Sequence, residues 1–455
     1  MDGRVKRAGL SKWSLLAVFA LLLCALALSA CGGGSSSSSS SSSTTEAEAE
    51  PATSEPATEE EPEAEGAGGE EVEAKGEPLV TWTYTDVNTE GAQYKNIEET
   101  TRVYQEWINA HGGIGGRPLE AHFCDAHGTP NGAAACSREA VDGGAIATVG
   151  SYTITGDAVT PILEKGDTAQ FGNCCAIAPS EFTSPISFPL GSQPVWSAGL
   201  LARAVHDGCK KINAVVVEGA EAFDPLLENA AKAEGVKIGK IVTAPGTAQD
   251  YSPQVAEATA DGADCILMIL NETLFIAWMP AFQQSGSEAK LYGPQGNFNE
   301  NAVKGFEELV EGDIVAGIYP DISLPQWDGF REALETYEAD MSQDYNSLGG
   351  LGTWAAYEAF KQVVETMSGE INHETFLKTL ATAKINLPGM LPPENFAKPW
   401  GKDGGPPEFA RLMNRCAVYS EFKEGKLTAA STEFEDVSEL AGGTKPMDCG
   451  PPFGE

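Results

Sequence analysis

Trp107-Ile108-Asn109-Ala110-His111-Gly112-Gly113-Ile114-Gly115-Gly116-Arg117-Pro118-Leu119 is the stretch on which the reading of this chain turns. Upstream of it, Asn96–Ala110 puts Ile97, Tyr104 and Ile108 on one helical face with Trp107 beside them, which predicts an amphipathic helix. Four glycines between 112 and 116 and a proline at 118 stop that helix, and Leu119–Phe123 has strand character. Leu79–Tyr84 supplies a strand before the helix. Downstream, helix Asn131–Val141, strand Ile146–Val149, helix Gly156–Lys165 and strand Ala169–Gly172 continue the alternation. It repeats as helix Trp196–Asp207, strand Asn213–Val217, helix Asp224–Glu234, strand Lys237–Val242, helix Ser252–Asp261, strand Asp264–Ile269, helix Leu274–Ser285 and strand Lys290–Tyr292. Strands alternating with helices across short loops predict an α/β fold of parallel sheets covered on both faces. The stretch from Pro78 to the last residue, Glu455, is too long for one core and suggests two lobes. In such sheets ligands bind beyond the carboxyl ends of the strands, which directs attention to loops 85–94, 150–155, 173–179, 218–223, 271–273 and 293–298.

The amino terminus reads differently. Arg4, Lys6, Arg7 and Lys12 form a basic segment, Leu15 to Leu28 is apolar, and Leu28-Ser29-Ala30-Cys31 follows. The apolar run suits a signal peptide (1–30) better than a membrane span. The last four residues resemble a bacterial lipobox, which implies lipidation of Cys31 and anchorage to the cell membrane. Nine serines at 35–43 and thirteen glutamates between Glu46 and Glu77 then leave almost nothing apolar to bury. Residues 31–77 are therefore expected to be a disordered tether, reaching roughly 35–40 Å as a flexible coil. The whole chain carries 29 Lys+Arg against 66 Asp+Glu, a net charge of −37. That balance repels phosphate backbones and anionic headgroups, so nucleic acid and polybasic membrane contact are excluded as functions.

The stretch 107–119 resembles the INAxGGIxGRPL helix–turn–strand of Leu/Ile/Val-type periplasmic binding proteins. Cys124-Asp125 with Thr129-Pro130-Asn131-Gly132-Ala133, Ala147-Thr148-Val149-Gly150-Ser151, Gly208-Cys209-Lys210-Lys211-Ile212, Gly262-Ala263-Asp264, Tyr292-Gly293-Pro294-Gln295-Gly296 and Thr353-Trp354-Ala355-Ala356-Tyr357-Glu358-Ala359 follow in that family's order. The resemblance spans about Leu79 to Glu424. It implies two doubly wound parallel-sheet lobes joined by a three-crossing hinge, with 78–192 plus 319–412 as lobe 1 and 193–318 plus 413–455 as lobe 2. It also implies capture of a small ligand between the lobes and delivery to the permease of an ABC importer, with no cofactor. A ligand sensor or cell-envelope regulator on the same fold is the alternative.

By the same resemblance, Tyr94 is the aromatic of the first ligand loop. Ser151, Tyr152 and Thr153 stand where backbone amides and a hydroxyl at a helix start receive a ligand carboxylate, although the hydroxyls are also apt helix caps. Cys175 and Ala176 occupy the next loop, and Phe223 stands where the family stacks a tyrosine on the ligand. Asn271 and Glu272 follow a strand of the second lobe. Gln295 replaces the acidic residue that pairs with a ligand ammonium. Unless Glu272 substitutes, a ligand without an amine then fits as well as an amino acid, and Gln295→Glu should strengthen amino-acid binding.

Of ten cysteines, Cys24 leaves with the signal peptide and Cys31 is the lipidation site, so eight remain. Their places on the expected elements favour Cys124–Cys136, Cys209–Cys265 and Cys416–Cys449, leaving Cys174 and Cys175 as a vicinal bridge or as free thiols. His122, Cys124, Asp125 and His127 have metal-ligand character, but Cys136 competes for Cys124 and no second cluster follows, so no metal is expected. Nucleophile-elbow, P-loop, GxGxxG and HExxH motifs are all missing from the sequence, which argues against an enzyme.

Overall fold

The computed structural model describes residues 74–89, 92–220 and 224–453. The signal peptide, Cys31, nearly all of the tether and Phe223 lie outside these residues. The first sheet is built from β1 (Leu79–Thr85), β2 (Leu119–Asp125), β3 (Ala147–Val149), β4 (Ala169–Phe171) and β5 (Ser187–Phe188), in the order β2-β1-β3-β4-β5 and wholly parallel. Between them run α1 (Lys95–Ala110), α2 (Pro130–Asp142), α3 (Thr160–Lys165) and α4 (Pro179–Thr183). The predicted helix 156–165 is broken, with a 3₁₀ turn at Gly156–Ala158 preceding α3.

The second sheet takes β6 (Ile212–Val217), β7 (Ile238–Ala244), β8 (Cys265–Ile269), β9 (Lys290–Pro294) and β10 (Ile314–Gly317), in the order β10-β9-β8-β6-β7. Its helices are α5 (Gln193–His206), α6 (Asp224–Ala233), α7 (Ser252–Ala258) and α8 (Glu272–Ser285). The chain then returns to the first sheet, where α9 (Asp328–Thr336), α10 (Leu348–Thr366) and α11 (His373–Leu380) pack, followed by the small hairpin β11 (Lys384–Ile385) and β12 (Glu394–Asn395). It finally re-enters the second sheet as antiparallel β13 (Cys416–Lys423), with β14 (Lys426–Ala429) and β15 (Glu435–Asp436) on it. The antiparallel edge is an addition to the purely parallel expectation. Passages after β5, after β10 and before β13 make the three crossings.

Strand periodicity explains why each sheet is covered twice. In β8, Cys265, Leu267 and Ile269 join the apolar cluster that continues through the hinge, whereas Ile266 and Met268 join a separate cluster with Phe275 and Trp278 of α8. Leu79 of β1 packs with α1 and α10, while Tyr84 packs with Ala133 and Cys136 of α2 on the opposite face. Successive side chains point to opposite faces, so both must be buried.

The glycine turn that decides the fold also has a physical reason. Gly113 has φ +74°, and a Cβ there would strike the Arg117 carbonyl. Ile114 and Arg117 exchange backbone hydrogen bonds of 2.8 and 3.1 Å across the turn. Asn109 then ties helix to strand: its Nδ2 donates to the Leu119 carbonyl at 2.9 Å and its Oδ1 accepts from the Leu119 amide at 2.7 Å.

Disulfides join Cys124–Cys136, Cys209–Cys265 and Cys416–Cys449, with Cα separations of 5.6, 6.0 and 6.0 Å, and Cys174 is bonded to Cys175. Cys124 is therefore engaged with α2, away from metal ligation, and His122 stacks on Trp82 at 4.2 Å. The Cys124–Cys136 bridge closes a short loop between β2 and α2. Cys136→Ser with Cys124→Ser should cost ~2–4 kcal/mol, read as a lower thermal midpoint. An unchanged midpoint in the double variant would show that the bridge contributes nothing.

Candidate functional site

Thr153 and Ser151, expected to face a ligand, are committed within the protein. Asp86, at the end of β1 and 1 % exposed, accepts from Thr153 Oγ1 at 2.8 Å, from the Ile154 amide at 3.0 Å and from the Gly128 amide at 2.9 Å. Ser151 Oγ accepts from the Tyr84 amide at 3.2 Å and donates to the Val149 carbonyl at 3.4 Å. A carboxylate of the chain itself thus takes the Thr153 hydroxyl and the Ile154 amide of this loop. The expectation is corrected accordingly: the hydroxyls hold the loop after β3 to the end of β1.

The Cys175–Ala176 loop is likewise bound inward. The Ala176 amide donates to the Gly191 carbonyl at 2.9 Å, and its carbonyl accepts from the Gln193 amide at 3.0 Å. The Cys174 carbonyl accepts from Tyr319 Oη at 3.2 Å. The vicinal disulfide therefore sits between the first and second hinge passages. Next to it, buried Glu181 accepts from Asn173 Nδ2 at 2.5 Å, Gln170 Nε2 at 3.2 Å and the amides of Ile177 and Ala178. Burial pushes its carboxyl up to about 7, against the pull of those amides and of Asn173.

Gln295 corrects the sequence reading most. Its Nε2 donates to the Tyr319 carbonyl at 2.9 Å, and its Oε1 accepts from the Ile318 and Tyr319 amides at 3.2 and 3.3 Å. The amide is spent on the second hinge passage. Asn271 also turns to its own backbone, capping α8 through the Leu274 amide at 3.0 Å.

Two expected residues do come together. The rings of Tyr94 and Tyr152 meet edge to face with centroids 4.7 Å apart. Glu272, at the start of α8 in the second lobe, lies near enough that its charge raises the Tyr94 phenol, after the larger effect of burial. Burial raises Glu272 itself, opposed by the Asn299 and Asn301 side chains. Asn299 Nδ2 also contacts Asp344 Oδ2 at 3.4 Å, across from the first lobe. Burial pushes Asp344 up to about 7; the Asn346 amide opposes this and the Glu272 charge adds to it. Asn96 Nδ2 donates to the Asp344 carbonyl at 2.8 Å and to Ser347 Oγ at 2.7 Å, holding that segment to α1. A cavity of about 330 Å³ opens here, lined by Asn299, Glu300, Asn301, Met341, Asp344 and Asn346 among others.

Tyr94, Tyr152 and Glu272 are among the residues expected from the sequence; Asp86, Asn299 and Asp344 are not. Asp86 ends a strand at a loop already singled out, which was a usable signal. Asp344 and Asn299 are brought in from distant segments and carry no local motif. Because the folded-state pKa of Asp344 is raised, its protonated form favours folding; that contribution is full below the unfolded value near ~3.9 and is lost as pH rises through about 7. Asp344→Asn should therefore raise the thermal midpoint slightly at pH 5, where the loss has begun, and by a few degrees more at pH 8. Equal shifts at the two pH values would contradict this coupling.

A comparison with curated proteins returned no match. Among solved structures, a possible leucine/isoleucine/valine-binding protein from Rhodopirellula baltica is similar at 13 % identity and a TM-score of 0.65, over 80 % of this chain and 98 % of that one. A fatty acid ABC transporter substrate-binding protein from Thermomonospora curvata is 18 % identical with a TM-score of 0.65, over 82 % and 95 %. A leucine binding protein from Thermotoga maritima is 16 % identical with a TM-score of 0.60, over 78 % and 98 %. At these identities the likeness speaks for the fold. The family model for periplasmic binding proteins matches residues 89–413, most of the folded chain, and with two α/β lobes joined by three crossings this places the protein in the periplasmic binding protein family.

Proposed function

We propose that this is an extracytoplasmic solute-binding lipoprotein that captures a small polar ligand between its lobes and passes it to an ABC importer. The observation that carries the reading is the contact of Asn299 from one lobe with Asp344 from the other at 3.4 Å, at a cavity of about 330 Å³ that both line, in a chain matched by the periplasmic binding protein family over residues 89–413. Hinged lobes that close on a ligand give a permease two shapes to distinguish, without chemistry on the ligand. The basic-then-apolar leader and the Ser29-Ala30-Cys31 junction support lipid anchorage. Among the described residues no helix is long and apolar enough to cross a membrane.

A thermal-shift screen of the purified protein against amines, amino acids, amides, ureas, carboxylates and fatty acids tests the capture. At least one compound should raise the midpoint in a concentration-dependent way, as binding to the folded state requires. A silent screen across all classes would remove the solute-binding reading. Anchorage is tested separately: Cys31→Ser should move the protein from the membrane fraction to the soluble fraction without altering its ligand response. Unaltered fractionation of that variant would sink the lipoprotein claim.

A further inference from the structure

We infer that the Cys174–Cys175 disulfide is a redox-sensitive latch on the hinge: bonded, it holds the first and second passages in place, and reduction by a dithiol releases them. The inference goes beyond the solute-capture reading, and its readout needs no ligand, so either can fail without the other. The bridge lies between the two residues that clamp the first passage. On its amino side the Asn173 carbonyl accepts from the Gly191 amide at 3.2 Å, and on its carboxyl side the Ala176 amide donates to the Gly191 carbonyl at 2.9 Å. The Ala176 carbonyl then accepts from the Gln193 amide at 3.0 Å. The second passage is held by the bridged peptide itself. The carbonyl that accepts from Tyr319 Oη at 3.2 Å belongs to the Cys174–Cys175 peptide, which the disulfide closes into a ring. One covalent link thus fixes the groups that grip both passages.

The surroundings leave an opened bridge no slack. Cys174 is fully buried and Cys175 is 9 % exposed. A Cβ at Gly352 of α10 would stand 2.5 Å from Cys174 Cβ and 2.9 Å from Tyr319 Oη, so helix, loop and second passage are in close contact here. Both flanks of the bridge are pinned independently, since Glu181 accepts from Asn173 Nδ2 at 2.5 Å and from the Ile177 and Ala178 amides at 2.9 and 2.8 Å. Freed sulfurs must part to van der Waals separation, and α10 blocks one side. The movement therefore falls on the ring peptide and the Ala176 amide, the groups that hold the passages. A dithiol opens the bridge by exchange. One of its thiolates attacks the sulfur of Cys175, the less buried cysteine; the S–S bond breaks and its electron pair stays on the Cys174 sulfur, which takes a proton. The second thiol of the reductant then displaces Cys175, which is protonated in turn, and the reductant ends as a disulfide. Two electrons and two protons pass from the dithiol to the bridge.

The test is residue-resolved hydrogen exchange on the full chain across a titration with dithiothreitol, with alkylation mapping of every cysteine in parallel samples. As Cys174 and Cys175 become labelled, the Ala176, Gly191 and Gln193 amides should exchange at least tenfold faster, while the Ile177 and Ala178 amides held by Glu181 stay slow. Cys174→Ala with Cys175→Ala should show the fast rates without reductant, and these amides should no longer respond to it. The titration of the parent protein serves if that variant fails to fold. Labelling of both cysteines before any reductant is added overturns the inference, because the bridge then does not form. So does a pair that stays unlabelled until the protein unfolds. Unchanged rates at Ala176 and Gly191 once both cysteines are labelled overturn it as well. Solute capture stands in each of these cases.

Discussion

Gln295→Glu is expected to weaken the fold instead of creating an amino-acid site. The glutamine amide donates to the Tyr319 carbonyl and accepts from the Ile318 and Tyr319 amides, joining β9 to the second hinge passage. A carboxylate can keep the two accepted bonds. It cannot donate, and it sets a negative oxygen against the Tyr319 carbonyl in a place only 6 % exposed. An unpaired buried charge with a lost donor should cost about 3 kcal/mol or more, lowering the midpoint by roughly 4 °C or more. The sign of the pH dependence follows from the same geometry. Protonated, the new side chain regains a donor for the Tyr319 carbonyl, so its folded-state pKa lies above the usual ~4.3. The deficit should be full above that folded value and shrink as pH falls toward the unfolded one. Calorimetric scans at pH 7.5 and 4.5 check it. Intact stability together with tighter leucine binding would mean that the side chain faces the ligand and that the hinge contact is dispensable.

Much of the fold was legible because its signals are local. The turn at 112–116 needs glycine, Asn109 bridges helix and strand within ten residues, and β6 and β8 show the two-sided burial of parallel strands. The Cys124–Cys136 and Cys209–Cys265 disulfides were reachable from the expected elements, since each of those cysteines sits on or beside a strand or a helix, whereas Cys449 lies in the tail after β15. The candidate site was only half legible. Position in a loop says that a side chain is near the cleft; it does not say which way it turns. Gln295, Asn271, Ser151 and Thr153 all stand where the resemblance placed them, yet each spends its polar atoms on the chain's own backbone or on Asp86. A buried donor or acceptor left unpaired is costly, so nearby backbone competes with any ligand for these groups. Asp344 shows the converse. It lies in the connection before α10, far in sequence from Asn299 of the other lobe, which it meets at 3.4 Å.

The hinge itself offers the sharpest steric test. Gly191 lies in the first passage, where its amide donates to the Asn173 carbonyl at 3.2 Å and its carbonyl accepts from the Ala176 amide. A Cβ at this position would run into the Cys174 carbonyl oxygen and stand 3.0 Å from Ile318 Cδ1 of the second passage. The first obstacle is backbone, itself fixed by Tyr319 Oη and the vicinal disulfide, so it cannot yield cheaply. Gly191→Ala should therefore fall at the upper end of overpacking, about 3 kcal/mol, or roughly 3–5 °C in midpoint. Gly246 supplies the control. It lies in an exposed loop with nothing within 4 Å of an added Cβ and without a positive φ. Gly246→Ala should be neutral or should stabilise by about 0.4–1 kcal/mol through the unfolded chain. If both variants melt like the parent, the first passage is not packed against the Cys174 loop, and the gripping of two hinge passages by that loop would have to be given up.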